Sequence, residues 1–283
     1  MFTPPFLDIA GGLCYNGKNL PTDTEKTRGQ KNMAEMGYPI LEFDRNPNAT
    51  INPDMIAEGQ FSTDKLVITF FPEAMEQLKS EGKIRLERTI PGENPILVYR
   101  FADADVLILL GAIGCPACAG TLDQLHAMGI QKVMFCGGGV LDPNIEVGQL
   151  LLVEGSIRDE GFSYHYIEPS RIIYTEQETN QKIADYLEEH SVPYLRGLTW
   201  TTDAIFRETQ TRIQNRRAEG AKIVEMEQAG CIAVAQFRGF SYGALIYGGD
   251  DVSQEQWDNR GWRRRQSIRY DLIELCKQLT EVL

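Results

Sequence analysis

The sequence predicts an α/β sandwich built around a mixed sheet. From about residue 64 onward, stretches with strand composition alternate with stretches of helical periodicity. One strand-like stretch, 105–110, is a nearly continuous apolar run, which is typical of a strand covered on both faces. Hydrophobic residues make up 42% of the chain and charged residues 24%, so a sizeable core is expected.

The chain is expected to divide near residue 64. Residues 1–63 are rich in Pro, Asn, Gly and Asp and carry only short apolar stretches, which indicates an irregular N-terminal extension. Residues 64–283 are long enough to form the main domain on their own.

The elements of the main domain follow in order. A buried strand at 65–71 leads into a helix that Pro72 opens and that runs through Leu78. A turn at 111–117 leads into a helix that runs to 125–129. Further strands are predicted at 85–88, 96–101, 132–135, 149–153, 194–198 and 243–247, and further helices at 177–189 and 267–283.

Charge and composition exclude several classes of function. The net charge of −12 argues against a general nucleic-acid binder or a protein of anionic membranes. No apolar run approaches the length of a membrane span, and the first residues lack the pattern of a secretory signal. Six cysteines without a regular framework indicate reduced thiols, and hence a cytoplasmic protein.

The triplet Glu225, Met226 and Glu227 organises the second half of the chain. It follows the apolar pair at 223–224 and precedes a helical apolar pattern that stops at 238–239. A buried strand therefore delivers two carboxylates to a position just ahead of a helix. Carboxylates there either cap the helix dipole or bind hydroxyls and developing positive charge, and the triplet alone leaves both interpretations open.

Cys115 and Cys118 form a Cys-Pro-Ala-Cys sequence after a predicted strand and at the start of a helix. That position is also the setting of a thioredoxin-like redox pair. There is no second such pair for zinc, and the chain is far longer than that redox fold. We interpret the two cysteines as small residues that fill a tight turn.

Other local signals concern glycines and histidines. The glycines at 137–139 allow a close approach of the backbone to a ligand and offer N–H groups to an anion, but their spacing does not match a dinucleotide-binding loop. His165 and Tyr166 lie in a polar and aromatic segment that suits a sugar or base site. No His, Cys and Asp spacing makes a metal ligand set, so no metal is expected.

Five segments, taken together and in order, carry a resemblance to a known family. They include Phe206-x-x-x-Gln210-x-Arg212 and Val224-Glu-Met-Glu227, and they lie at 112–125, 137–148, 156–166, 206–212 and 224–227. On these segments the chain from about residue 64 to the end resembles the nucleoside phosphorylases, a family that includes uridine phosphorylase. The resemblance implies a three-layer α/β/α fold, homo-oligomers built on dimers, and cleavage of the N-glycosidic bond of a small-molecule nucleoside.

The resemblance also implies residue roles. Glu227 stabilises the oxocarbenium-like ribose, Met226 packs on the sugar and Glu225 supports both, with His165 and Tyr166 also at the ribose. For the base, the implied residues are Phe206, which stacks on the ring, and Gln210 and Arg212, which hold a pyrimidine edge.

The phosphate site departs from the family pattern. Ala74 and Met134 occupy positions where relatives hold arginines, so weak or unusual phosphate binding is expected, with only backbone N–H groups of Gly114, Gly137 and Gly138 on offer. The arginines that remain as candidate substitutes are Arg45, Arg88 and Arg100. No cofactor is implied, and phosphate is the one co-substrate.

Asp250 indicates a purine, whereas Gln210 and Arg212 indicate a pyrimidine. It falls where purine-cleaving relatives carry an aspartate that protonates the base, although a solvated turn at 248–251 explains it equally well. Three hypotheses follow: a uridine-preferring phosphorylase, a nucleoside hydrolase on the same fold, and a non-catalytic nucleoside-binding protein.

Overall fold

A computed structural model describes residues 37–254, 256–261 and 266–283. The chain separates into two units, Met1–Glu42 and Phe43–Leu283. In the first unit the described residues include a single 3-10 turn, Pro39–Leu41, and the irregular structure expected for residues 1–36 lies outside the described residues. The second unit begins upstream of the boundary expected at residue 64, and Phe61 already belongs to its core.

One mixed sheet runs through the second unit, which confirms the predicted α/β fold. In the described residues its strand order is β2-β3-β4-β1-β5-β10-β6-β8-β9, with β7 paired to β6. The strands are β1 Lys65–Thr69, β2 Ile84–Ile90, β3 Ile96–Phe101, β4 Leu107–Leu110, β5 Lys132–Gly139, β6 Leu150–Asp159, β7 Ile172–Tyr174, β8 Tyr194–Thr202, β9 Ala221–Glu225 and β10 Ser241–Gly248.

Helices connect and cover these strands. They are α1 Pro53–Ile56, α2 Pro72–Ser80, α3 Cys115–Ala127, α4 Gln177–Glu189, α5 Gln210–Ala218, α6 Gln228–Arg238 and α7 Gln266–Leu279, with 3-10 turns at Ser163–His165 and Ile205–Arg207. None of the helices in the described ranges combines the length and the apolar character that a membrane crossing requires.

The sheet separates two apolar cores. Alternate side chains of β1 point to opposite faces, so Leu66 and Ile68 pack in one core and Val67 in the other. The core on the first face includes residues of α3 and α6, and the core on the second face includes residues of α2, α4 and α7. This is the three-layer arrangement that the family resemblance implied.

Several elements differ from the sequence expectation for identifiable reasons. Strand β5 continues through the glycines at 137–139 because it pairs in parallel with β10, and a Cβ on Gly138 would lie 2.6 Å from Tyr247 Cε1. Helix α5 was not predicted because only Ile213 of its residues is buried, which leaves no apolar period to detect. The last predicted helix ends at Leu279.

The ends of β5 and β9 meet although the two strands are distant in the strand order. The backbone N–H of Leu141 donates to the carbonyl oxygen of Lys222 at 3.0 Å. Gly139 allows the approach, because a Cβ there would lie 2.7 Å from the carbonyl oxygen of Val224. The glycine strand and the acidic triplet are thereby brought to one place.

Candidate active site

A cavity of about 640 Å³ lies where β5, β9 and β10 end. Its walls are mainly apolar and aromatic, with a few convergent polar groups, which is the composition of a small-molecule site. The lining residues are Phe70, Ile113, Phe135, Gly137, Gly138, Gly139, Val140, Ile205, Phe206, Glu208, Gln210, Ile213, Val224, Glu225, Met226, Glu227, Ile246, Asp250, Val252, Gln254 and Trp257.

Glu227 is the N-cap residue of α6, and its carboxylate is held from two directions. The backbone N–H of Gly114 donates to Oε1 at 2.8 Å, and the backbone N–H of Met226 donates to Oε2 at 3.2 Å. Only 6% of the residue is exposed, although it lines the cavity. The carboxylate therefore has a fixed orientation on the cavity wall.

Glu225 is fixed more completely than Glu227. Its Oε2 accepts the backbone N–H groups of Glu227 and Gln228, each at 2.6 Å, so it occupies the N-terminus of α6. Its Oε1 accepts the hydroxyls of Thr199 at 2.9 Å and Thr201 at 2.5 Å. Of the two interpretations of the triplet, Glu225 follows the capping one and leaves Glu227 as the carboxylate with fewer protein partners.

Burial changes the ionisation of both groups. Desolvation raises the pKa of Glu225 to about 6, although the hydrogen bonds from Thr201 and from the α6 backbone oppose the change. Desolvation, together with the negative charge of Glu225, raises the pKa of Glu227 to about 8. Burial therefore disfavours the ionised form of Glu227, and positive charge developing beside it would favour that form.

Six residues that the sequence analysis assigned to ribose, base or phosphate line this cavity in addition to Glu225 and Glu227. Phe206 is 95% exposed, so its ring stands open at the cavity mouth. Asp250 accepts a hydrogen bond from Trp257 Nε1 at 2.9 Å, whereas its neighbour Asp251 is buried in an ion pair with Arg260. The six are Met226, Phe206, Gln210, Asp250, Gly137 and Gly138.

Arg212 is not among the lining residues. Its guanidinium donates to both carboxylate oxygens of Asp159, at 2.9 and 3.0 Å. Asp159 also accepts Trp200 Nε1 and lies within 3.4 Å of the Arg216 guanidinium, so it anchors α5 to β8. The guanidinium of Arg212 would have to leave Asp159 to reach a base, so its expected base-reading role stays a prediction.

His165, Tyr166 and Gly114 also lie outside the lining. His165 and Tyr166 face a separate surface groove, in which the Tyr166 hydroxyl donates to Asp123 Oδ2 at 2.9 Å. The N–H of Gly114 that was expected to bind phosphate is donated to Glu227 instead. Sequence proximity to the site motifs did not place these three residues in the cavity.

Among the described residues, no Lys, Arg or His lines the cavity. Ala74 and Met134 are buried in the core, and the three candidate arginines are engaged elsewhere. Arg45 pairs with Glu168, Arg88 donates to the carbonyl oxygens of Glu58 and Gln60, and Arg100 pairs with Glu87 and Asp105.

Cys115 and Cys118 are both buried, and burial raises the pKa of the Cys115 thiol. A reactive thiol needs a lowered pKa and access to solvent, so neither condition for redox chemistry is met at Cys115. Its role is packing: a Cβ on Gly230 would lie 2.8 Å from Cys115 Sγ, so the two residues let α3 and α6 approach closely. This approach brings Gly114 to Glu227.

Glu208 and Trp257 are lining residues that the sequence analysis did not select. Glu208 lies between Phe206 and Gln210, at a position that the family motif leaves unspecified. Burial, and then the negative charge of Asp250, raise the pKa of Glu208 to about 7. The sequence signal for Glu208 was its acidic side chain between Phe206 and Gln210 of the base-recognition motif.

The sequence profile of the phosphorylase superfamily matches residues 64–269. The chain belongs to this superfamily. Among curated relatives, a guanosine phosphorylase of Halorubrum lacusprofundi is 24% identical over 154 residues, which are 54% of this chain and 64% of the relative. A uridine phosphorylase of Thermococcus kodakarensis is 25% identical over 108 residues, 38% of this chain and 39% of the relative. Each match thus spans less than two-thirds of the relative's own length.

Solved structures of superfamily members share the fold. The purine nucleoside phosphorylase of Toxoplasma gondii in complex with immucillin-H superposes with a TM-score of 0.64 at 14% identity, covering 84% of this chain and 99% of that one. A uridine phosphorylase of Vibrio fischeri ES114 superposes with a TM-score of 0.61 at 21% identity, covering 77% and 89%. At these identities the likeness establishes the architecture that surrounds the cavity.

Proposed function

We propose that this superfamily member cleaves the N-glycosidic bond of nucleosides in the cavity below Phe206 and transfers the ribosyl group to phosphate. The observation that carries the proposal is the pair Glu225 and Glu227. The Glu225 carboxylate accepts hydrogen bonds from the N-terminus of α6 and from two threonines. The Glu227 carboxylate is held on the cavity wall by two backbone N–H groups.

The proposed chemistry follows from the charge that develops during cleavage. The bond between C1′ and the base nitrogen breaks, its electron pair leaves with the base, and the ribose becomes oxocarbenium-like. A phosphate oxygen then forms the new bond to C1′. Glu227 lies in a largely buried position, where a negative charge stabilises that cation more strongly than it does in water. Met226 lines the same wall and supplies an apolar surface for the sugar.

A purine is the base that the cavity suits best. Asp250 lines the cavity and in this proposal shares a proton with the leaving base, while Arg212 is held by Asp159. The uridine preference expected from the sequence is the second candidate, and Phe206 and Gln210, which do line the cavity, favour it. An acidic residue stabilises a base that is protonated as it leaves, whereas an arginine stabilises one that leaves as an anion.

Hydrolysis is the second candidate reaction, because a phosphate dianion needs cationic partners in a partly buried site. The described lining residues offer it four carboxyl side chains and no cation. Water requires no such partner and would attack C1′ directly.

The test is base release from guanosine, inosine and uridine with and without phosphate. Phosphorolysis predicts that release requires phosphate and yields ribose 1-phosphate. Release at the same rate without phosphate would make the enzyme a hydrolase. No release from any of the three nucleosides under either condition would contradict the proposed activity.

A further inference from the structure

The start of α3 contacts the acidic triplet through a thiol as well as through the N–H of Gly114. Cys115, the first residue of α3, directs its side chain at the backbone of the triplet. Its thiol proton is shared between the carbonyl oxygens of Met226 and Glu227, at S···O distances of 3.3 and 3.5 Å. Two consecutive residues therefore contact Glu227, one at its carboxylate and the other at its main chain.

The Cys115 thiol is a donor that keeps its proton. The residue is fully buried, and this burial raises the pKa of the thiol, with a further contribution from the negative charges of Glu160 and Glu225. A protonated thiol is a weak donor, but in a buried position it faces no competition from bulk water. The contact with the triplet is therefore present at neutral pH.

The thiol reaches the point from which α6 starts. Glu227 is the N-cap residue of α6, and its carbonyl oxygen also accepts the backbone N–H of Cys231 at 3.0 Å. One helical turn further into both helices, the Sγ atoms of Cys118 and Cys231 lie 3.7 Å apart. Helices α3 and α6 thus contact each other through sulfur at two successive turns. The outer of these contacts is the one that fixes the main chain beneath the Glu227 side chain.

We propose that Cys115 is a positioning residue for Glu227, because its thiol holds the backbone of Met226 and Glu227 in the conformation that keeps the carboxylate on the cavity wall. This inference rests on the role proposed for Glu227 in nucleoside cleavage. Met226 is bound at both ends of its main chain, since its carbonyl accepts the thiol and its N–H donates to Glu227 Oε2. Loss of the thiol frees this segment, and the carboxylate then spends less time facing the developing cation.

The experiment compares kcat and KM of the parent, Cys115→Ala and Cys115→Ser on the best nucleoside substrate. Alanine and serine are nearly equal in size, but serine alone keeps a donor, so their difference separates hydrogen bonding from packing. Cys115→Ala should lower kcat about 3- to 10-fold with KM within about twofold, and Cys115→Ser should recover most of the loss. The control is Cys276→Ala, which truncates a fully buried cysteine of α7 on the other face of the sheet and should keep the parent's kcat.

Hydrogen exchange of the Gly114 amide gives a second readout that does not depend on turnover. This N–H is donated to Glu227 Oε1, so its exchange rate reports how firmly the carboxylate is held. The amide should exchange at least about 3-fold faster in Cys115→Ala than in the parent or in Cys115→Ser. Cys276→Ala should leave its exchange unchanged.

Two kinetic results would overturn the positioning role while leaving nucleoside cleavage intact. One is a parental kcat in Cys115→Ala, and the other is an equal kcat in the alanine and serine variants. If the parent cleaves no nucleoside, the proposed function fails, and the exchange measurement decides the positioning role alone. Selectively faster exchange of the Gly114 amide in Cys115→Ala supports the role, and an unchanged rate removes it.

Discussion

The backbone N–H of Gly114 donates to Glu227 Oε1 at 2.8 Å, which couples the turn before α3 to the turn before α6. Gly114 has a φ of 95°, a left-handed conformation that favours glycine. The orientation of the proposed catalytic carboxylate therefore depends on a glycine 113 positions away in sequence.

Gly114→Ala should lower kcat/KM by more than its effect on stability explains. A Cβ there meets only Pro116 Cδ, at 4.0 Å, so the cost is conformational, roughly 1–3 kcal/mol. The strained turn shifts the N–H away from Glu227 and loosens the carboxylate. Gly82→Ala is the control, with a φ of 70°, open space around the position and no part in the cavity. Equal kinetics in the two variants at equal loss of stability would rule out the orienting role.

Thr201→Val tests the support of Glu225. The hydroxyl of Thr201 donates to Glu225 Oε1 at 2.5 Å and accepts the backbone N–H of Ala229 at 2.9 Å. Its loss strands buried groups, at about 1–3 kcal/mol of unfolding free energy, and should also reduce kcat. Thr280→Val, which removes an equally buried hydroxyl in the C-terminal region, should lose stability without losing kcat. Unchanged kcat in Thr201→Val would show that the support of Glu225 is not needed for turnover.

The raised pKa of Glu227 predicts a pH-dependent stability. The pKa lies at about 8 in the folded protein against an ordinary value of 4.5. Protonated Glu227 therefore makes its full contribution to the free energy of unfolding below about pH 4.5, and this contribution is lost as the pH rises towards 8. Relative to the parent, Glu227→Gln should gain stability between pH 5 and 9, on the order of 1–4 kcal/mol in urea unfolding. If the difference in unfolding free energy between the two proteins does not change with pH, the pKa of the Glu227 carboxyl is not raised by burial.

Gln210→Ala and Arg212→Ala should have different effects. Gln210 lines the cavity and ties two loops together, so its loss should change the relative kcat/KM values of guanosine and uridine. The Arg212 side chain is 38% exposed and pairs with Asp159, so its loss should cost about 0–1 kcal/mol of stability and leave the substrate ratio unchanged. A uridine-selective loss in Arg212→Ala would restore the base-reading role expected from the motif.

Much of the fold and the centre of the site follow from local sequence. The apolar run of β4 and the pattern of α6 report burial directly, and the triplet at 225–227 lies between a strand and a helix whose periods are both readable. These features can be predicted from residues that lie close together in sequence. For the same reason the two glutamates could be selected before the structure was known.

The remaining features depend on partners that are distant in sequence. Arg212 is turned from the cavity by Asp159, 53 positions away. Gly138 belongs to a strand because Tyr247 packs against it. Glu208 becomes notable only when its carboxyl is seen in the cavity beside Asp250 without a protein donor. Tertiary contacts, which no local pattern encodes, decide each of these.

The most direct test of the account is the turnover rate of Glu227→Gln on the best nucleoside substrate, measured beside the parent with phosphate present and with folding checked by circular dichroism. The substitution keeps the size of the side chain and removes the charge that would face the ribose cation. The account predicts a fall in kcat of about 100- to 1000-fold, which is typical for the loss of one electrostatic contact to a transition state. A folded variant that turns over at the parent's rate would contradict it.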